Sequence, residues 1–571
     1  MARGGKIALF AASAAALMLG ATHAAAQNYN PGLDTYDGGM DMGPAEAFTP
    51  GPAGGPAPVN PPSPYASVGL SFEGISQYNV AAFGRNFIPP DTMGAIGTTQ
   101  FMETSNGAYA VYDKSTGAQL SLISDVAFWA AAGQTGANGD SRVLFDPTSQ
   151  RWIVSSFSAS LSTIQIAVST TSNALGPWQS TTFTGYAGGI ADYPTLAIDG
   201  AAVYIGTNDF DSGGNFQGTT LNVINRNDLF SAGAPTTTSL KQFFTACNIS
   251  VCNTDNGFAI QGVNQLLGST DSGQIIAASN FSSSGDIVRY SITNPGTAGA
   301  TQTPATYLGL NRSDPALNGT NPLARQPYTS DPAAVSAGVT RTIDALDVRL
   351  SSAEWEQHGD IYSVQTVTPP GTDHTSVVWT VIRASDNTVL QSGTIGDGVY
   401  DYYQGSIAVN STGQVVIGYD RSGDASTGAA GKISFFVDTF NPITPGGGPI
   451  APTANFLIHV SNTDSYHNGS LDGQVAAGRQ RWGDYSQVTV DPNNPEDFWA
   501  IGQFAREFND AAGGHPGGTG GSRWGTWITE ITLTAVPEPA TWAMMLIGFG
   551  LLGGALRSAA SADRRRALQA V

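Results

Sequence analysis

Between residues 68 and 533 the chain repeats one pattern of short apolar strands, with no long amphipathic helical stretch between them. A first strand ends at a turn residue, a second follows and often ends in a small residue, and a third comes after a polar gap. The first strands stack as Gly94–Gly97, Val143–Asp146, Leu196–Asp199, Ile407–Asn410 and Val488–Asp491. Second strands follow at Gln100–Glu103, Arg151–Val154, Ala202–Gly206, Gln414–Gly418 and Phe498–Gly502, and third strands at Tyr109–Tyr112, Ile164–Val168, Leu221–Ile224, Ile433–Phe436 and Thr526–Ile531. Two weaker units occupy 263–292 and 343–382. The starts at Gly94, Val143 and Leu196 lie about 50 residues apart, which is the period of repeating sheet units. A sheet of this kind cannot bury both faces alone, and radial repetition solves that while leaving few edges. The pattern predicts an all-β fold, a β-propeller of seven blades; six blades with an insertion near Cys247 fit almost as well, and a β-sandwich array is the other architecture.

Composition narrows the function classes. The chain has 70 glycines and only 12% charged residues, a turn-rich β profile. It carries 24 Lys+Arg against 44 Asp+Glu, a formal charge of -20, with lysine only at Lys6, Lys114, Lys241 and Lys432. There is no basic patch for nucleic acid. Such a chain favours cations, cationic partners or neutral polyols as ligands. No Gly-x-Ser-x-Gly or His-Glu-x-x-His motif supports a serine-hydrolase or metalloprotease reading.

Several segments carry a family likeness. Pro89–Gly97, Tyr112–Gly117, Val143–Trp152, Asp192–Leu196 and Arg481–Ser486 resemble segments of secreted, sialidase-like propeller proteins of bacteria. The resemblance spans nearly all of 68–533 and implies the fold more than an activity. That family's aspartate box has the form Ser-x-Asp-x-Gly-x-Thr-Trp. The nearest fragment here is Ser269-Thr-Asp-Ser-Gly273, followed by Gln274-Ile275.

One constellation points to a site. Acidic residues precede the first strands of several units: Asp91, Asp140, Asp192, Asp401 and Asp484, with Tyr193, Tyr403 and Tyr485 beside them. If the first strands line a central channel, these gather at one mouth as a ring able to hold a metal ion or sugar hydroxyls. The plainer reading is that each Asp caps its own turn. A second candidate is calcium at Asp209, Asp211 and Asn215, where oxygen ligands alternate around glycines; a hairpin turn explains the same run. No catalytic residue is singled out. Cys247 and Cys252, the only cysteines, are expected to pair in an oxidising compartment, with a two-thiolate metal clip as the alternative.

Both ends carry address labels. Arg3 and Lys6, an apolar stretch Ile7–Ala21, and Ala24-Ala25-Ala26 form a secretory signal, 1–26, cleaved after Ala26. Residues 27–67 are rich in Pro, Gly and Ala and read as a disordered linker. At the other end, 534–571, Pro537-Glu538-Pro539 denies the backbone helix and sheet bonding. The uncharged run Trp542–Leu556 and the arginines Arg557 and Arg564–Arg566 follow, which predicts a short transmembrane helix with its far end in the cytoplasm. This closely resembles the PEP-CTERM sorting signal of Gram-negative bacteria. The resemblance implies export, a membrane-anchored precursor, cleavage near the hook by an exosortase-type enzyme, and release to the cell surface or extracellular matrix. A plain tail anchor is the other reading. Signal and tail together remove six basic residues and two acidic ones, so the processed chain is more acidic still. The sequence therefore suggests a non-catalytic binding or structural propeller associated with exopolysaccharide, biofilm or a surface protein. The alternative is a glycosidase-type hydrolase using carboxylates at the channel mouth.

Overall fold

The computed structural model describes residues 40–41, 58–137, 139–246, 256–265, 273–279, 285–312, 323–327, 342–442, 451–464, 466, 479–508, 522–534, 547, 549, 551–552 and 557. Its contacts divide the chain into two units, at Leu533/Thr534. The first is all-β and is built from antiparallel sheets that follow one another along the chain.

Sheet 1 comprises Met93–Ile96, Gln100–Ser105, Ala108–Asp113 and Gln119–Ser124. Sheet 2 comprises Arg142–Asp146, Arg151–Phe157, Thr163–Ser169 and Trp178–Thr184. In sheet 3 the first position is split between Gly189–Asp192 and Ala197–Ile198, followed by Ala202–Asp211, Phe216–Asn225 and Lys241–Ala246. Sheet 4 has Phe258–Asn264, Gln274–Ala278 and Ile287–Thr293, edged by Thr301–Gln302 and Thr306–Leu308. Sheet 5 has Glu354–Gln357, Asp360–Val367, Ser376–Arg383 and Val389–Ile395, and its first strand bridges in parallel to that of sheet 4. Sheet 6 has Asp401–Val409, Val415–Ser422, Ser434–Phe440 and Ala454–Val460.

Sheet 7 is made from both ends of the unit. Gln487–Val490, Asp497–Phe508 and Ser522–Leu533 are completed by Ala66–Ser76, which pairs Ala66 with Leu533 and Phe72 with Ile528. The strand starts two residues inside the segment read as linker, because Ala66 and Ser67 find backbone partners in Leu533 and Thr532. Met40–Asp41, also within that segment, pairs with Phe87–Ile88. Buried Glu103 of sheet 1 ties the closing strand in place. It accepts from the Ile75 N–H at 2.9 Å, the Tyr112 hydroxyl at 2.9 Å and the Thr526 hydroxyl at 2.6 Å.

Neighbouring sheets pack in chain order, sheets 2 and 3 through one apolar cluster that holds Ile164, Phe183, Ala191 and Leu196, and the first strand of sheet 7 packs on that of sheet 1. Ile96, Phe145, Gln357, Val409 and Val490, at the ends of five first strands, line one small cavity, so these strands converge on a common centre. Gly206 and Gly502, read from the sequence as strand ends, lie inside Ala202–Asp211 and Asp497–Phe508, and their lack of a side chain lets neighbouring sheets approach closely. A Cβ on Gly206 would lie 1.7 Å from the Ile260 carbonyl of sheet 4, and one on Gly502 would lie 2.4 Å from the Phe435 ring of sheet 6. Trp482, Trp499, Trp524 and Trp527 are all buried between sheets, so they pack the core and present no stacking platform to solvent.

In the second unit, Ile547, Phe549, Leu551 and Leu552 are helical. Among the described residues no helix is long and apolar enough to cross a membrane. Most of Trp542–Leu556, the hook Pro537-Glu538-Pro539, the signal-cleavage residues Ala24 and Ala26, and Cys247 and Cys252 lie outside the described residues.

Candidate functional site

The site is built from the way the chain enters each first strand. Asp91, Asp140, Tyr193, Ala259 and Gln404 occupy the left-handed region, with φ of 45°, 54°, 54°, 50° and 54°. Non-glycine residues rarely sit there, and the surroundings must hold them. In three sheets the hold comes from a polar side chain of the preceding sheet that accepts the strained residue's N–H. Asn106 accepts from Asp140 at 3.0 Å, Asn208 from Ala259 at 2.8 Å, and Thr366 from Gln404 at 3.2 Å. Asn106 does more, because its Nδ2 also donates to Asp91 at 2.7 Å and to the Pro89 carbonyl at 3.0 Å. Removing it strands buried polar groups on two sheets at once. Asn106→Ala is expected to destabilise the unit by about 2–4 kcal/mol, judged by denaturant unfolding, with Asn208→Ala costing less.

Four of the five acids read from the sequence meet at this end of the first strands. Asp91 accepts from the Asp484 N–H at 2.8 Å. Asp140 accepts from the Tyr485 hydroxyl at 2.8 Å. The Tyr193 and Tyr485 rings lie 4.9 Å apart. Burial, then the charges of Asp484 and Asp140, raise the Asp91 carboxyl well above its ordinary value. Burial, then Asp192 and Asp484, push Asp140 up to about 7 against the pull of Tyr485 and Arg142. Both tyrosines are raised by burial and stay protonated.

Three arginines complete the cluster, and the sequence reading passed over all of them. Arg142 is buried, its guanidinium 3.7 Å from the Tyr485 ring centre and 5.1 Å from that of Tyr193. Its Nε and Nη2 meet no partner among the described residues. Arg349 lies 4.6 Å from the Tyr193 ring and pairs with Asp347 at 2.8 Å. Arg481 pairs with Asp484 at 2.8 Å and with Asp344 at 3.4 Å. Arg142 stands two residues after Asp140, and Arg481 three before Asp484. A basic residue flanking an acid at a strand entry was the available signal.

Asp401 and Tyr403 do not join this cluster. Asp401 accepts from the backbone of Arg325 at 2.8 Å and of Thr375 at 2.9 Å, with the His374 ring at 3.4 Å. Tyr403 donates to Ser422 at 3.1 Å. The cause is an irregularity between Tyr403 and Ser406, which makes Gln404 the residue that reaches the mouth, where it donates to the Gly483 carbonyl. The Asp209–Asn215 run forms a hairpin. Asp209 is buried and accepts from the Thr207 and Thr220 hydroxyls. Asp211 accepts from the backbone N–H groups of Gly213 at 2.8 Å and Asn215 at 2.9 Å. Among the described residues no three His, Cys, Asp or Glu side chains gather as metal ligands, there or at the mouth.

Comparison with known proteins decides the tail. Residues 535–559 match the PEP-CTERM protein-sorting motif. The chain ends in a PEP-CTERM sorting signal. That motif implies export, a membrane-anchored precursor and processing by an exosortase, itself a membrane enzyme. A comparison with curated proteins gives no match. Among solved structures, the unit is similar to Kluyveromyces lactis Hsv2, with 8% identity over 78% of this chain and 97% of that one and a TM-score of 0.33. A putative 6-phosphogluconolactonase from Bacteroides uniformis shows 12% identity over 73% and 92%, TM-score 0.33. A subtype N10 neuraminidase-like protein of a little yellow-shouldered bat virus shows 11% identity over 62% and 96%, TM-score 0.31. Scores this low carry no weight for function.

The buried acids make stability depend on pH. Burial raises Asp140 and Asp209 to about 7, Asp420 to about 8 and Asp438 to about 6. The folded chain therefore holds protons that the unfolded chain releases near pH 4. Their stabilisation is complete below that value and is lost as pH rises through 6–8. His459 opposes this. Burial between Trp527 and Phe504 lowers it to about 4, so its contribution is full above about 6.5 and falls toward pH 4. Four carboxylates outweigh one histidine, so the melting temperature is expected to fall between pH 5 and pH 8, and Asp420→Asn to flatten that fall.

Proposed function

We propose that the first unit is a seven-bladed β-propeller, exported and sorted by its tail, whose acidic mouth binds neutral polysaccharide at the cell surface or in the extracellular matrix. Seven sheets in chain order, the last closed by both ends of the unit, support the blade count. The apolar run Trp542–Leu556 serves as the membrane anchor before exosortase cleavage at Pro537-Glu538-Pro539, and the signal is removed after Ala26.

The observation carrying the binding reading is the mixed chemistry of the mouth. Carboxylates of Asp91, Asp140, Asp192 and Asp484 accept hydrogen bonds, guanidiniums of Arg142, Arg349 and Arg481 donate them, and phenols of Tyr193 and Tyr485 do both. Vicinal sugar hydroxyls each donate and accept, and they match such a lining better than a metal ion or an apolar ligand does. Asp192 and Asp484 are the acids of this set with some exposure, which places them first in line for a ligand.

One observation favours the hydrolase as a second reading. Asp140, pushed up to about 7, retains a proton near neutral pH beside Asp192 and Asp484. A buried carboxyl that keeps its proton near neutral pH is what glycoside cleavage uses as its acid. A glycan-array screen of the exported protein, with products followed by mass spectrometry, separates the two. Retention of neutral glycans without new products supports the binding module, new products support the hydrolase, and no retention of any glycan removes both.

A further inference from the structure

Away from the mouth, one stacked pair of aromatic rings is open to solvent. The Tyr186 and Phe244 ring centres lie 5.6 Å apart, with planes 22° from parallel. Two other pairs stack this way among the described residues, Tyr419 with Phe436 and His459 with Trp527, and all four of those rings are buried. Phe244, by contrast, is 49% exposed. It stands on Lys241–Ala246, the outer strand of sheet 3, where alternate residues face solvent and put Gln242 and Phe244 on the outer side. Tyr186 comes from the connection that leaves sheet 2 two residues after Thr184.

The pair is held before any ligand arrives. The Gln242 side-chain amide donates to the Thr184 carbonyl at 2.8 Å and to the Gly185 carbonyl at 3.2 Å, which ties the connection to the strand that carries Phe244. The Gly185 N–H donates to the Ser162 carbonyl at 2.8 Å. Gly188 closes on the tip of the Tyr186 ring, where a Cβ would lie 2.5 Å from the hydroxyl oxygen. Rings fixed in this way lose little freedom on binding.

The surroundings select the ligand. The exposed positions flanking the rings in the chain are Thr184, Ala187, Gly188, Gln242 and Ala246, all small or polar. The apolar area therefore ends at the two rings, too small for a lipid or protein docking face. A cation gains little here, because the acids near Tyr186 are already committed. Asp211 accepts from the backbone of Gly213 and Asn215 and from the side chains of Asn215 and Gln217. Asp209 is buried and pushed up to about 7. The Tyr186 hydroxyl is raised by burial, then by the charges of Asp209 and Asp211, so it stays protonated. It has no partner among the described residues and is free to donate and accept. A flat neutral ring with C–H groups on its face and hydroxyls at its edge suits this pair. A gluco-configured sugar, with its hydroxyls equatorial, is such a ring.

We propose that Tyr186 and Phe244 form a stacking platform for one sugar ring of a neutral, gluco-configured glycan, a second contact for the polysaccharide whose binding at the mouth is the reading this rests on. The strand Gly189–Asp192 runs from beside Tyr186 to Asp192 of the mouth. At ~3.3 Å per residue the stretch from Tyr186 to Asp192 covers at most about 20 Å, so one oligosaccharide reaches both contacts and the second strengthens the first.

The test is calorimetric titration of cellohexaose into the exported full chain and its variants. Phe244→Ala is expected to weaken binding roughly tenfold, with the melting transition kept, and Phe244→Trp to restore it. Choline chloride should not displace the sugar. Equal affinity in the parent and Phe244→Ala would overturn the platform, as would a parent that binds no cellohexaose, whatever the glycan array retains. Displacement by choline would overturn the choice of a neutral ring. Weakening by Phe244→Ala together with no effect of Asp192→Asn/Asp484→Asn would keep the platform and remove the mouth reading.

Discussion

A chain from which residues 66–76 are deleted is expected to lose its cooperative unfolding transition and to aggregate when exported. This strand supplies the outer edge of sheet 7, pairing along Ser522–Leu533 from Ala66↔Leu533 to Ser76↔Gly525. Without it, twelve residues of backbone in the last strand present an open edge, which is a template for pairing with other chains. The loss extends into sheet 1, because Glu103 would forfeit the Ile75 N–H and its buried carboxyl would keep only hydroxyl partners. A milder version is Phe72→Ala, which removes the ring lying 5.2 Å from that of Tyr112 on sheet 1 and is expected to lower the melting temperature without abolishing the cooperative transition. Circular dichroism melts of the exported proteins check both. A melt of the deletion variant that matches the parent would mean that the unit folds without this strand.

The second large effect concerns sorting. Replacing Pro537, Glu538 and Pro539 together by alanine keeps the apolar run and the arginines intact but gives the hook a backbone free to join a helix. The chain is expected to be exported and folded yet to stay as uncleaved, membrane-associated precursor. Immunoblots of membrane and released fractions would show the shift. Unchanged release would mean that the hook residues are dispensable and that the match over 535–559 reflects only an anchor.

The strand repeat was legible in the sequence because its apolar residues recur in short runs ended by turn residues, and burial of whole first and second strands enforces that pattern. The closing strand was harder to place. Residues 66–76 alternate only weakly between buried and exposed positions, and their partners, Gly525 to Leu533, lie at the far end of the unit, so local sequence marks an ordered segment but not its sheet. At the mouth, Asp91, Asp140, Asp192 and Asp484 could be picked out as acids before apolar strands. Asp401 looked the same, yet the irregularity at Tyr403–Ser406 shifts the mouth-facing position to Gln404. Arg142 escaped notice because it opens an apolar strand, Arg142-Val-Leu-Phe, and its use depends on tyrosines brought in from sheets 3 and 7. The left-handed strand entries have no sequence signature at all: Asp, Tyr, Ala and Gln occupy them, and at Asp140, Ala259 and Gln404 a side chain from the sheet before holds the backbone N–H.

The central claim is that the acidic mouth holds polysaccharide. It is tested most directly by calorimetric titration of the glycan best retained by the parent protein into Asp192→Asn/Asp484→Asn, with melting curves run in parallel. The account predicts binding weakened by roughly tenfold or more, as expected for losing hydrogen-bond acceptors, with a cooperative melting transition retained though lowered by the broken Arg481–Asp484 pair. Equal affinity in the parent and the double variant would contradict it.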